Sequence, residues 1–338
     1  MTLEKGWLGW DQFMRAALYH PDFGYYTAKI RDIGRRGDFS TSAHPQSILA
    51  QAIARWATGQ KSRLGCGRRW NLIEIGGGNG EMAAGILTSL GLWARLGLTY
   101  HLVEISSPLR ERQKQKLRDR RVIWHDTIED ALRATDGVAL VFSNEAVDAF
   151  PCRRFVCEGN LWFESGVTLK SRRLEEMLVP LSETEMANLQ SSAFHTTGSC
   201  LRQSVEVHAE YREFLEKLTG RMRRGCLLTI DYGDRWPAVY HRQPNGTVRG
   251  YFHHQRVDGS DLLLRIGQQD ITADVNFTDL ENWGSALGFR NERFETQRDF
   301  ILRNVGPVAP STTDQARILD PVGAGSAFKV LQQSFQLN

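Results

Sequence analysis

The feature that most constrains this chain is the run Glu74-Ile75-Gly76-Gly77-Gly78-Asn79-Gly80. A short apolar stretch from Asn71 to Ile75 leads into it with the branched residues of a buried strand. Glu81 to Leu90 follows, with apolar residues at helical spacing. A strand that enters a glycine turn and leaves as a helix points backbone N–H groups at whatever lies over the turn. Glycine lets a ligand approach that main chain closely. The unit demands a second strand beside the first, and therefore a sheet wound with helices.

The residues that follow supply it. Thr99 to Ile105 reads as a strand, Pro108 to Leu117 as a charged helix opened by Ser106-Ser107, Val122 to His125 as a strand, Ile128 to Ala134 as a helix and Val138 to Ser143 as a strand. Cys226 to Ile230 is a fifth, compact strand, and Phe289 to Thr296 and Phe328 to Leu331 read as the last two. This alternation predicts an α/β fold with a Rossmann-like doubly wound sheet. Upstream, Trp10, Phe13, Met14, Ala17 and Leu18 mark a helix that His20-Pro21 stops, and Ser47 to Ala57 a second. Downstream of Pro151, Arg154 to Cys157 and Leu161 to Glu164 form a β-hairpin across Gly159-Asn160, and 180–222 reads as helical. The expected organisation is a helical cap with a cofactor-covering loop over 1–62, the first part of the core over 63–152, a hairpin and helical insertion over 153–222, and the rest of the core over 223–338. Within the last stretch, 234–272 reads as an irregular loop rich in Gly, His, Gln and Arg, longer than a connection needs.

Composition removes several functions. Net charge is +3 from 42 basic and 39 acidic residues, and the arginines fall in scattered pairs, which gives no footprint for nucleic acid. The five cysteines form no Cys-x-x-Cys pair, which argues against zinc and disulfide frameworks and fits a reducing cytoplasm. No apolar run approaches the roughly 20 residues of a membrane span, and Met1 to Asp11 resembles no secretory or organellar signal. The expected location is cytoplasmic. His253-His254 with Asp258 and Asp261 lacks metal-ligand spacing and reads as solvated loop, so no metal is expected.

The glycine turn by itself suits either a dinucleotide pyrophosphate or the amino-acid end of S-adenosyl-L-methionine; Gly78-x-Gly80-x-x-Ala83 even meets the dinucleotide template. Two acidic residues sharpen it. Glu74, two positions before Gly76, would repel a pyrophosphate but can take an ammonium group or orient the loop. Glu104 closes the next strand 24 residues after Gly80 and can accept both ribose hydroxyls, a feature shared with nicotinamide-dinucleotide sites that does not discriminate. Asp126 stands where it could meet an adenine or cap the helix after it. Gly76, Gly78, Gly80, Glu74, Glu104 and Asp126 are therefore the candidate cofactor residues. After the fourth strand, Asn144, Glu145 and Asp148 lie at the carboxyl edge where open α/β sheets bind ligands, and they are the candidate acceptor-site residues. Asn144 could instead cap a short helix. Asp231-Tyr232-Gly233 ends the fifth strand and could line the same mouth or be a plain strand-to-turn sequence.

Several strings in order give the chain a family resemblance. These are Ala17-Leu18-Tyr19-His20-Pro21 with Gly24-Tyr25-Tyr26, Gly37-Asp38-Phe39-Ser40-Thr41-Ser42, the Glu74 loop, and Val103-Glu104-Ile105-Ser106 with Leu109-Arg110 and Gln113. Ser143-Asn144-Glu145 with Asp148-Ala149-Phe150-Pro151, Asp231-Tyr232-Gly233, and Asp270 to Phe277 complete the set. The chain resembles the MidA-like S-adenosyl-L-methionine-dependent methyltransferases. The resemblance implies methyl transfer to a protein side-chain nitrogen, with arginine favoured and a respiratory complex I type subunit as the partner. It also implies that Asp38 and Thr41 lie in a loop folded over the cofactor. The family's loop reads Gly-Pro-Gly-Arg-Gly where this chain has Gly76 to Gly80, and its Pro-Glu after the Thr-Ser stretch is here Ala43-His44. A non-catalytic assembly factor that keeps the fold, or a nicotinamide-dependent oxidoreductase, are the rival expectations.

Overall fold

The computed structural model describes residues 6–30, 48–118, 120–159, 161–194, 200–241, 243–253 and 255–337. The segment carrying Asp38, Thr41, Ala43 and His44 lies outside them, as does His254. The chain forms two compact units that interleave in sequence, one from 1–30, 147–213 and 233–283, the other from 31–146, 214–232 and 284–338.

The second unit is the doubly wound sheet. Its strands are β1 (Trp70–Ile75), β2 (Leu98–Val103), β3 (Val122–His125), β4 (Val138–Asn144), β5 (Arg224–Asp234), β6 (Arg290–Thr296) and β7 (Phe328–Gln336). Their spatial order is β6-β7-β5-β4-β1-β2-β3. Neighbours from β5 through β3 pair in parallel, and β7 runs antiparallel between β5 and β6. The chain thus builds outward from β1 through β2 to β3, then returns to lay β4 on the other side of β1. That reversal is the point where open α/β sheets leave a crevice at their carboxyl ends. Helices α1 (Ile48–Arg63), α2 (Glu81–Ser89), α3 (Ser107–Leu117), α4 (Ile128–Ala134) and α5 (Gln297–Val305) accompany the sheet. Central strands such as Leu72-Ile73 and Leu140-Val141-Phe142 are buried on both faces, as a parallel sheet covered by helices requires. They pack with Ile53, Trp56, Met82, Ile86 and Phe300 in a single core.

The first unit is antiparallel. Leu161–Lys170 pairs with Leu8–Gly9, with Arg153–Gly159 and with Arg173–Pro180, and Arg153–Gly159 pairs in turn with Cys200–Val207. The amphipathic helix Trp10–Tyr19 buries Trp10, Phe13, Met14, Ala17 and Leu18, and the Trp10 indole donates to Ser165 Oγ at 2.7 Å. A five-residue π-helical turn, Tyr25–Lys29, follows it. Two sequence expectations are corrected here. The stretch 180–222 is not helical throughout: Glu183–Leu189 and Ala209–Thr219 are helices, but Cys200–Val207 is a strand. The stretch 234–272 is not one irregular loop, because Arg249–Phe252 pairs with both Gln255–Val257 and Asp270–Thr272 in a small sheet.

Candidate functional site

Three glycines of the turn after β1 take left-handed conformations, Gly76 at φ 67°, Gly78 at 52° and Gly80 at 83°. Side chains rarely tolerate such angles, so the alternation of glycines is what lets the chain reverse here. The turn is pinned at both ends: the Gly76 N–H donates to Val103 O at 3.0 Å, and Gly80 N–H donates to Gly77 O at 2.9 Å. Gly77 has no such angle, but a Cβ there would lie 2.3 Å from Cδ2 of Leu102. Leu102 fills the space that the family's proline would need. Gly80 then starts α2, with the Asn79 side chain accepting from the Glu81 N–H at 3.2 Å.

Glu74 is buried one residue before the end of β1, and its Oε2 accepts from the Tyr100 hydroxyl at 2.7 Å. Strand register explains the partner: Leu72 faces Tyr100 across β1 and β2, so Glu74, two residues on, shares its face. Burial lifts the Glu74 carboxyl to about 7; the Tyr100 hydrogen bond opposes the rise and the charge of Glu104 adds to it. Glu104, just past β2, is also buried. Its Oε1 accepts from the Ser106 N–H at 2.9 Å and its Oε2 from the Gln113 amide at 3.0 Å. Burial lifts it to about 7 as well, against the hydrogen bonds from Ser106 and Gln113. Asp126 is exposed and pairs with Arg110. It is not the helix cap, because Thr127 Oγ1 accepts from the Asp130 N–H at 3.1 Å and takes that place.

At the end of β4 the chain turns without forming a helix, so capping does not explain Asn144. Glu145 sits in the left-handed region at φ 51°, where a non-glycine residue is strained. Its N–H donates to Ile230 O at 3.0 Å, and the wholly buried Asp231 accepts from Ala146 N–H at 3.2 Å and Tyr232 N–H at 2.9 Å. Asp231 thus holds the turn that presents Glu145. The Asn144 amide donates to Glu145 Oε1 at 3.3 Å, while its buried Oδ1 has no hydrogen-bond partner among the described residues. A buried acceptor left open costs about 1–3 kcal/mol and is a place where a ligand donor is worth most. Asp148 falls in the first unit. There it is buried, its carbonyl accepts from Ala273 N–H at 3.0 Å, and its charge acts on Tyr26, whose hydroxyl donates to Asp270 at 2.7 Å. The structure therefore joins Asn144 and Glu145 on one turn, with Asp148 grouped instead with Tyr26 and Asp270.

The residues present fit S-adenosyl-L-methionine. The left-handed glycine turn opens main-chain N–H groups at the start of α2, and Glu104 closes the neighbouring strand with a carboxylate fixed in plane. Sequence reasoning missed Tyr100 and Trp124 outright. Gln113 was visible only as part of a string.

Comparison with known proteins agrees. The chain is 28% identical over 326 residues, 87% of its length, to the protein arginine methyltransferase NDUFAF7, mitochondrial, of Danio rerio, covering 72% of that protein. It is 25% identical over 295 residues to the Drosophila melanogaster homolog and 26% identical over 299 residues to the Homo sapiens protein, covering 79% of this chain in each case but 64% and 63% of those relatives. The chain thus spans about two thirds of the length of the curated relatives it matches. Among solved structures, a protein of Burkholderia thailandensis bound to S-adenosyl-homocysteine superposes with a TM-score of 0.81. It is 26% identical, with 97% of this chain and 88% of that one covered. The nicotinamide alternative is set aside by these matches. The expectation of a cytoplasmic protein is overturned, since the curated relatives are named as mitochondrial. Residues 52–294 match the model of a family described as S-adenosyl-L-methionine-dependent methyltransferases. With that cofactor, that fold and that match, the chain belongs to this family of methyltransferases.

Proposed function

We propose that the chain methylates a guanidinium nitrogen of arginine in a protein substrate, of the respiratory complex I subunit type that the family resemblance suggests. The observation that carries the reading is that relatives matching 79–87% of the chain are named protein arginine methyltransferases. The cofactor supplies a methyl group on a sulfonium when bound. In this reading Gly76, Gly78 and Gly80 shape the turn so that its main chain lies close to the amino-acid end, Glu104 accepts from its ribose, and Glu74 sets the loop from beneath through Tyr100. Asp126 reaches toward the adenine end.

An arginine acceptor stays protonated near neutral pH, so the chain must hold it by carboxylates in fork geometry while a nitrogen is aligned for attack. Glu145 suits that role, because the strained turn after β4 fixes its backbone and Asn144 beside it steadies one carboxylate oxygen. Holding the two reactants at attack distance is the main demand of an in-line transfer, and good alignment is worth roughly 7–11 kcal/mol. The test is mass spectrometry of complex I type subunits from cells with and without the gene. The reading predicts a methylarginine that vanishes with the gene and returns with the wild-type chain but not with Glu145→Gln. Unchanged arginine methylation in the deleted strain would contradict it.

A further inference from the structure

Gln113, on α3, is wholly buried and touches three parts of the donor site at once. Its Nε2 donates to Gly78 O at 2.8 Å and to Glu104 Oε2 at 3.0 Å, and its Oε1 accepts from the Trp124 indole at 3.0 Å. Those partners belong to the turn after β1, the end of β2 and the middle of β3. The helix also packs against the turn: a Cβ on Gly80 would lie 3.4 Å from the Gln113 Cα. The amide has no second orientation. Turning it over would set its oxygen against two acceptors and its NH2 against the indole N–H, losing every bond.

We propose that Gln113 is a positioning residue for the methyl donor, fixing the span between the glycine turn and the ribose carboxylate. This rests on the reading of Glu104 as the ribose acceptor. With Oε1 held by Ser106 and Oε2 by Gln113, the carboxylate plane is set before any ligand arrives, and each oxygen keeps a lone pair for a ribose hydroxyl. Trp124 acts one step further out by keeping the amide the right way round.

Titration calorimetry of the full chain with S-adenosyl-homocysteine, beside thermal unfolding, tests this. Gln113→Leu removes two donors, one of them to a charged group, and should raise Kd about 10- to 100-fold in protein that is still folded. Trp124→Phe should raise it by a smaller factor, about 2- to 10-fold, by freeing the amide. Gln113→Glu keeps the shape but can donate only when protonated, and then only once. Its affinity should improve as pH falls from 8 to 6, opposite to the trend of the wild type. Should Gln113→Leu fail to fold, the other two variants decide the matter. Wild-type affinity in folded Gln113→Leu or Trp124→Phe, or a wild-type pH profile in Gln113→Glu, would overturn the inference. If those variants are silent while Glu104→Ala still weakens binding, only the role of Gln113 falls. If Glu104→Ala also binds normally, the ribose assignment falls with it.

Discussion

Two carboxyls, Glu74 and Glu104, lie buried at the ends of neighbouring strands, and burial lifts each to about 7. Their ordinary value is near 4.5, so the fold without ligand favours their protonated forms. That contribution is complete below about pH 4.5 and is lost as pH rises through 7. Ligand binding follows the opposite course, because a ribose hydroxyl or an ammonium prefers the ionised acceptor. Affinity for S-adenosyl-homocysteine should therefore rise between pH 6 and 8, and the rise should shrink in Glu104→Gln; a flat wild-type titration would contradict the assignment. Burial holds His101 down at about 4, so that ring stays neutral across the window and does not confuse the reading. The two carboxyls were legible in the sequence because each stands at a strand end where a solvated alternative is easy to imagine and a buried one is costly. Tyr100 and Gln113 were not legible, since one is an ordinary core aromatic until register places it beside Glu74, and the other is a polar residue on a helix that reads as charged throughout.

Among the elements, the turn after β1 carries the least tolerance. Gly76→Ala would force a side chain into φ 67° and bring its Cβ to 3.2 Å from that of Ala146. The expected cost is about 1–2 kcal/mol from the left-handed backbone, seen as a lowered Tm together with weaker S-adenosyl-homocysteine binding; an unchanged Tm and Kd would show the turn to be looser than described. The strands of the sheet were readable because parallel strands buried on both faces leave continuous apolar runs. Cys200–Val207 was not, for a physical reason. It buries Val205 and Val207 but also Ser204 and Glu206, so polar and apolar residues are inside together and the alternation disappears. Glu206 is tolerated there because the Arg154 guanidinium lies 3.7 Å from its Oε1 and Thr247 donates twice to its Oε2, from N–H at 3.0 Å and from Oγ1 at 2.9 Å. Thr247→Val keeps the shape and removes the second donor, which should destabilise the protein by about 1–3 kcal/mol in denaturant unfolding. No measurable change would contradict that role for Thr247. The 234–272 stretch misled for another reason, since strands of three or four residues are too short to show a period.

At the scale of the molecule, the two units each draw on three separated stretches, so neither coincides with a contiguous segment that a linear reading could delimit. The doubly wound unit was the legible one because its strand and helix units follow each other in sequence. The antiparallel unit gathers Leu8–Gly9, Arg153–Pro180 and Cys200–Val207, and such distant pairings leave no local mark. Location was misjudged because free thiols report a reducing compartment without saying which one, and Cys66, Cys152, Cys157 and Cys226 are all free. Glu74, meanwhile, favours the methyl donor over a dinucleotide on residue chemistry, whereas Glu104 and the glycine turn suit either, and the matches to methyltransferases decide for the donor. A crystal structure of the full chain with S-adenosyl-homocysteine tests that claim most directly. The expected result is both ribose hydroxyls on Glu104, the amino-acid end over Gly76 to Gly80, and Glu145 facing the position of the missing methyl. A ribose held by any other residue, or a methyl position with no carboxylate beside it, would contradict it.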